Sequence, residues 1–165
     1  SWHLRSQLFK EVLDDDEAPG GPAPRGSLAT IVDHLRAGRT TRVFEDRTVS
    51  PTYVVDAARA TRSLVEQDAV PGLYHCVNAG HATWTEVARE AARLLGVEPR
   101  LERVTVRDVK LRAARPQYCA MSSAKLTAAG VSMPTWQNAL ARALGGVSHE
   151  AADEAADGQA GRQPR

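Results

Sequence analysis

Leu73-Tyr74-His75-Cys76-Val77, a short polar break, and then Thr83-Trp84-Thr85-Glu86-Val87-Ala88 with Ala91, Leu94 and Leu95 ahead of Gly96 form the most informative stretch of the chain. The first five residues are too few and too uniformly nonpolar for a surface helix, and they predict a central strand covered on both faces. The second run has the form of a capping box, Thr83 with Glu86, followed by apolar residues at helical spacing and a glycine suited to a left-handed stop. A buried strand feeding an amphipathic helix is the unit from which α/β folds are built.

The same alternation continues outward. On the N-terminal side, Ser27 caps a helix carrying Leu28, Ile31, Val32 and Leu35, which Gly38 ends. Arg42-Val43-Phe44-Glu45 is a brief strand. Ser50-Pro51 then opens a second helix with Val54, Ala57, Ala58, Thr61, Leu64 and Val65 on one side, up to the break at Pro71-Gly72. On the C-terminal side, Leu101 to Val106 reads as a strand. An irregular stretch through Pro116 follows, then a short helix from Ser123 to Ala129 and a last helix from Thr135 to Leu144. The expectation is an α/β chain with about three short strands and five helices. Three strands are few for a complete doubly wound sheet, so further strand structure is expected before Ser1.

Composition divides the chain into three parts. Residues 1–26 read as an N-terminal arm or linker, because Asp14, Asp15, Asp16 and Glu17 precede a Pro/Gly-rich run that buries little apolar surface. Residues 27–146 form the expected domain. Residues 147–165, rich in Ala, Asp, Glu, Gly and Gln, read as a disordered tail. A formal net charge of +1 excludes a general electrostatic grip on nucleic acid or an anionic membrane, so any anionic ligand needs a local site. No run is long and apolar enough for a membrane helix. Two cysteines, Cys76 and Cys119, are too few for a disulfide scaffold and point to a reducing, cytoplasmic setting.

Two segments carry candidate chemistry. Glu45 to Asp56 sets polar groups between a strand end and a helix start, where free N–H groups favour anions or hydroxyl-rich ligands; the same residues also suit a plain capped turn. In Arg115-Pro116-Gln117-Tyr118-Cys119, an arginine beside a proline offers a forked donor set to a diphosphate, with a surface ion pair as the alternative. Lys125 reads as a solvated helix residue. His75 and His81 form a poor metal set, so no metal is assigned. Cys76 reads as a small core residue, Cys119 lacks a histidine partner, and Trp84 and Trp136 read as helix-to-core staples.

Asp46-Arg47-Thr48-Val49-Ser50-Pro51-Thr52 followed by Asp56 resembles the D-x-x-x-x-P-T-x-x-x-D segment of dTDP-4-dehydrorhamnose reductases, in the extended short-chain dehydrogenase/reductase superfamily. Further pieces occur in that family's order: Gly72-Leu73-Tyr74-His75, Thr83-Trp84 with Glu86, Arg115-Pro116 ahead of Lys125-Leu126, and Pro134-Thr135-Trp136 with Ala139-Leu140. Together they span Ser27 to Leu144. The resemblance implies an incomplete Rossmann-like fold: the C-terminal part that closes over a nucleotide-linked deoxy sugar, while a preceding Rossmann domain holds NADPH or NADH for reduction of a 4-keto group. It implies a substrate-binding set of Asp46, Thr48, Pro51, Thr52, Arg115 and Tyr118.

The chain departs from the family pattern in two places. It contains no glycine-rich phosphate turn. Tyr53, Tyr74 and Tyr118 are followed four residues on by Ala57, Asn78 and Ser122, so no Tyr-x-x-x-Lys pair is present. No catalytic residue is therefore assigned, and no nicotinamide cofactor is expected on this chain alone. Where family members carry Asn or Tyr and then Ser, this chain has Tyr118-Cys119, which weakens hydrogen bonding from the second position. The partners implied are a nucleotide sugar and either a Rossmann-domain partner or a second copy. The competing readings are a noncatalytic nucleotide-sugar-binding or regulatory module, or a truncated remnant.

Overall fold

In the computed structural model, residues 3–5, 8–9, 27–109 and 116–145 are described. Arg115, most of the expected arm and the expected tail at 147–165 lie outside them. The five expected helices are all there: α1 (Ser27–Arg36), α2 (Val54–Glu66), α3 (Trp84–Leu95), α4 (Ala124–Ala128) and α5 (Trp136–Ala143). The three expected strands appear as β3 (Thr41–Phe44), β6 (Leu73–His75) and β8 (Leu101–Val104). Six further strands of two or three residues join them: β1 (His3–Arg5), β2 (Leu8–Phe9), β4 (Thr48–Val49), β5 (Thr52–Tyr53), β7 (Ala82–Thr83) and β9 (Tyr118–Cys119). Two- and three-residue strands are too short to show a period of two, so pairing partners alone make them visible.

The pairings are local ladders. β1 runs parallel to β6, with His3, Leu4 and Arg5 against Leu73, Tyr74 and His75. β2 runs parallel to β5, and β3 runs parallel to β8 over four residue pairs. β4 sits between β7, antiparallel, and β9, parallel. The first ten residues, part of the expected arm, thus supply two strands to the fold.

Two apolar clusters hold the elements together. The first packs Leu28, Ile31, Val32 and Leu35 of α1 against Val87, Ala88, Ala91 and Ala92 of α3, with Val43, Trp136 and Leu140. Alanines on α3 let the helices approach closely, while the branched residues fill the space between them. The second cluster joins Ala57, Ala60 and Leu64 of α2 to Tyr74, Cys76, Leu126 and Val131.

Local chemistry explains the element ends. Thr83 Oγ1 accepts the Glu86 backbone N–H at 3.2 Å, and the Glu86 carboxylate accepts the Thr83 N–H at 2.6 Å, so the predicted capping box is formed. Gly96, at φ 66°, closes α3. The start of α2 differs from the sequence pattern, which opens that helix at Ser50-Pro51: Tyr53 is the N-cap and Val54 the first helical residue. The reason is that Thr52 and Tyr53 are held extended by pairing with Leu8 and Phe9. The stretch expected to be covered on both faces is buried at Tyr74, Cys76 and Val77, but Leu73 at its entry is 44% exposed.

A buried polar bridge joins the clusters. The Asp56 carboxylate on α2 accepts two guanidinium N–H bonds from Arg142 on α5, at 2.8 and 2.5 Å. It also accepts an Asn78 amide N–H at 2.8 Å. Asn78 donates in addition to the Pro134 carbonyl at 3.0 Å, and its Oδ1 accepts the Tyr53 N–H at 2.8 Å. The sequence suggests only a helix-dipole role for Asp56; the structure shows it binding α2, α5 and the residues after β6 into one network.

Candidate functional site

The segments Glu45–Asp56 and Pro116–Cys119, about seventy residues apart in sequence, meet in the β7-β4-β9 ladder. Thr48 lies opposite Tyr118 on one side and Thr83 on the other, and Val49 lies between Cys119 and Ala82. Because side chains alternate along strands, this register sorts the residues into two rows. Val49 and Ala82 are buried, with Cys119 partly so, and form the inward row. Thr48, Thr83 and Tyr118 form the outward row, and Tyr118 is 69% exposed.

Several bonds fasten the two segments together. Thr48 N–H donates to the Gln117 carbonyl at 2.7 Å. The Gln117 amide donates to Asp46 Oδ2 at 2.7 Å, and Arg47 Nε donates to the Pro116 carbonyl at 3.4 Å. Ser50 is fully buried, and its Oγ accepts the Met121 N–H at 2.9 Å. Asp46 also accepts the Val106 N–H at 3.1 Å, at the start of a short 3-10 turn from Val106 to Asp108. That turn is capped by Asp108, whose carboxyl is held below its ordinary range chiefly by the Thr105 N–H and then by the Thr105 hydroxyl.

The predicted residues therefore divide by position. Thr48 and Tyr118 stand side by side on the outward row. Asp46 is half-buried and bonded to Val106 and Gln117. Pro51 and Thr52 are buried, with the Thr52 hydroxyl donating to the Ser50 carbonyl at 3.1 Å, so they shape the loop from beneath. Arg115 lies outside the described residues, immediately before Pro116.

Other polar residues have structural explanations. Burial pushes the Cys76 thiol up, opposite to what a nucleophile needs, although a bond with Thr61 opposes the shift. Lys125 Nζ lies 4.4 Å from the Tyr74 ring centre, a cation–π contact. Among the described residues there is no group of three or more His, Cys, Asp or Glu side chains able to hold a metal ion, and no helix long and apolar enough to cross a membrane. An open groove lined by Val54, Val55, Ala58, Arg59 and Arg62 belongs to α2 and includes none of the predicted residues.

Sequence reasoning missed Asn78 and Arg142, which orient the loop through Asp56, and it set His81 aside. Nothing in a single sequence pairs Asp56 with an arginine eighty-six positions away. His81 carries a weaker signal: it lies immediately before β7, exposed, with its ring 6.4 Å from that of Tyr118.

A nicotinamide dinucleotide does not fit the described residues. Its diphosphate needs a glycine turn between a strand and a helix N-terminus, open to close approach. Gly80, at φ 90°, is the positive-φ glycine ahead of α3, but a Cβ placed on it would meet Trp136 Cδ1 at 3.1 Å, so that space is filled.

The family model described as the RmlD substrate binding domain matches residues 21–148. The chain belongs to the RmlD substrate-binding domain family. Among curated relatives of this RmlD-type domain, the spore coat polysaccharide biosynthesis protein SpsK of Bacillus subtilis (strain 168) is 33% identical over 113 residues, covering 68% of this chain and 39% of that protein. The dTDP-4-dehydrorhamnose reductase of Streptomyces griseus is 34% identical over 107 residues, covering 61% and 35%. The RmlD-type domain thus spans well under half the length of these relatives. Among solved structures, dTDP-4-dehydrorhamnose reductase from Bacillus anthracis str. Ames, in complex with NADP, has a TM-score of 0.71 at 23% identity over 87% of this chain and 48% of that one. UDP-glucuronic acid 4-epimerase from Bacillus cereus has a TM-score of 0.64 at 11% identity over 87% and 43%. These two likenesses are of fold.

Proposed function

We propose that this chain is the part of an NAD(P)H-dependent 4-keto nucleotide-sugar reductase that binds and orients the nucleotide sugar, with the dinucleotide held by residues outside those described. The observation that carries the reading is the register of β4 on β9, which sets Thr48 beside Tyr118 and the loop around Pro51 beside that following Arg115. In this reading Thr48 and Tyr118 face the ligand and Arg115 grips the diphosphate. Asp46, Pro51 and Thr52 hold the loop in shape. Orientation has a kinetic value: fixing a sugar carbonyl before its hydride donor removes much of the entropic barrier to the encounter.

Titration calorimetry on the 165-residue chain tests the proposal. The expected result is weak binding of dTDP or UDP and no measurable binding of NADPH; the reverse order overturns the assignment. Arg115→Ala is expected to lower nucleotide affinity about tenfold, the scale of one charge-assisted contact. Unchanged affinity would return Arg115 to an ordinary surface cation.

A further inference from the structure

We propose that residues 10–17, the chain that leaves β2, dock along the outer face of α2. Val12 and Leu13 enter its apolar groove, and the acids Asp14 to Glu17 lie against Arg59 and Arg62. The proposal does not depend on which ligand the chain takes. Residues 10–20 precede the family match, which starts at residue 21.

Helical spacing gives α2 two faces. Ala57, Ala60 and Leu64 are buried in the second cluster, whereas Val54, Val55, Ala58, Arg59 and Arg62 fall on the opposite side and line the open groove. Val54 and Val55 are half-buried, while Ala58, Arg59 and Arg62 are exposed. Val65, about one turn further on, is 62% exposed. Apolar residues toward the start of the groove and guanidinium groups toward its end fit an occupant that is apolar first and acidic next.

The preceding strand delivers the segment to this place. β2 runs parallel to β5, with Phe9 opposite Tyr53, the N-cap of α2. Parallel strands point the same way, so the backbone leaves Phe9 in the direction in which Tyr53 leads into α2. Extended residues advance about 3.3 Å each, so Lys10 to Glu17 reach about 26 Å. Val54 to Arg62 spans only about 12 Å at the rise of an α-helix. The order of residues agrees: Lys10 and Glu11 cover the step from β2, Val12 and Leu13 meet Val55 and Ala58, and four consecutive acids meet the arginines. Arg62 Nε is bonded to Glu66 at 2.7 Å, but a guanidinium carries five N–H donors, so one such bond does not exhaust it.

The test uses the full 165-residue chain carrying Leu13→Cys and Ala58→Cys, oxidised in dilute solution and mapped by peptide mass spectrometry. The expected product is a disulfide between the two introduced thiols within one chain. Arg59→Glu with Arg62→Glu is expected to slow its formation about fivefold, the scale of exposed ion pairs. Adding Asp14→Lys, Asp15→Lys and Asp16→Lys to that variant restores the rate. A control pair, Leu13→Cys with Arg89→Cys at an exposed position of α3, is expected to form little of the bond. Equal yields from the two pairs, or a rate indifferent to both charge reversals, would overturn the docking. So would the absence of the bond, and a disulfide linking two chains in its place would give the groove to a second copy instead.

Discussion

Asp56→Ala tests how the two halves of the fold are joined. The substitution removes the acceptor for two Arg142 N–H bonds and one Asn78 N–H bond. The side chains are 3% and 13% exposed, so Arg142 would be left as a cation with little access to water. Breaking a buried pair by deleting one partner costs about 3–5 kcal/mol. The small exposure of Arg142 and the Pro134 carbonyl still available to Asn78 favour the lower end, about 3 kcal/mol. For a domain of this size that lowers the unfolding midpoint by about 6–12 °C. Urea unfolding followed by tryptophan fluorescence reads it directly, because Trp84 and Trp136 both pack on the first cluster. Arg142→Met should cost a similar amount. The double change Asp56→Leu with Arg142→Met should cost less than the sum of its parts by about 1–3 kcal/mol, since neither charge is then stranded. A single-variant loss below about 1 kcal/mol, or strict additivity in the double, would refute a desolvated bridge.

Three further outcomes are expected. Gly80→Ala combines a positive φ with a Trp136 atom 3.1 Å from the new Cβ, and should destabilise by about 1–3 kcal/mol in thermal unfolding; a neutral result would show that the turn relaxes freely. Leu140→Ala, at a fully buried position in the first cluster, should cost about 2–5 kcal/mol in urea, and a loss near zero would mean that the cluster refills the cavity. Glu86 has its carboxyl held below the ordinary range, first by the Thr83 N–H and then by the Thr83 hydroxyl. A depressed carboxyl contributes stability above its unfolded pKa and loses that contribution as pH falls through its folded pKa. Glu86→Ala should therefore cost about 0.5–1 kcal/mol at pH 7 and progressively less as pH falls below the ordinary carboxylate range, and a pH-independent difference would contradict the capping role.

Much of the fold is legible residue by residue because its causes are local. The α3 capping box, the left-handed Gly96 and the stripe of Leu28, Ile31, Val32 and Leu35 all act within a few positions along the chain. The boundary at Pro51 is misread for the opposite reason. Serine and proline favour a helix start by themselves, yet pairing with Leu8 and Phe9 keeps Thr52 and Tyr53 extended and moves the start to Val54. For the candidate site, the sequence names Asp46, Thr48, Pro51, Thr52 and Tyr118 but cannot distinguish the buried from the outward-facing. Thr48 and Thr52 are the same residue type on strands that follow one another in sequence but belong to separate ladders; one stands beside Tyr118 on the outward row and the other bonds to the Ser50 carbonyl beneath.

The amino-acid sequence by itself determined the ends of α3, which helix faces turn inward, and that the chain carries no glycine-rich dinucleotide turn. Those properties follow from spacing, capping and backbone freedom over a few residues. Tertiary structure decided which distant segments meet: Asp56 with Arg142, Thr48 with Tyr118, and Tyr118 with His81. Such contacts depend on strand register and on how two apolar clusters close against each other, which no interval along a single chain encodes.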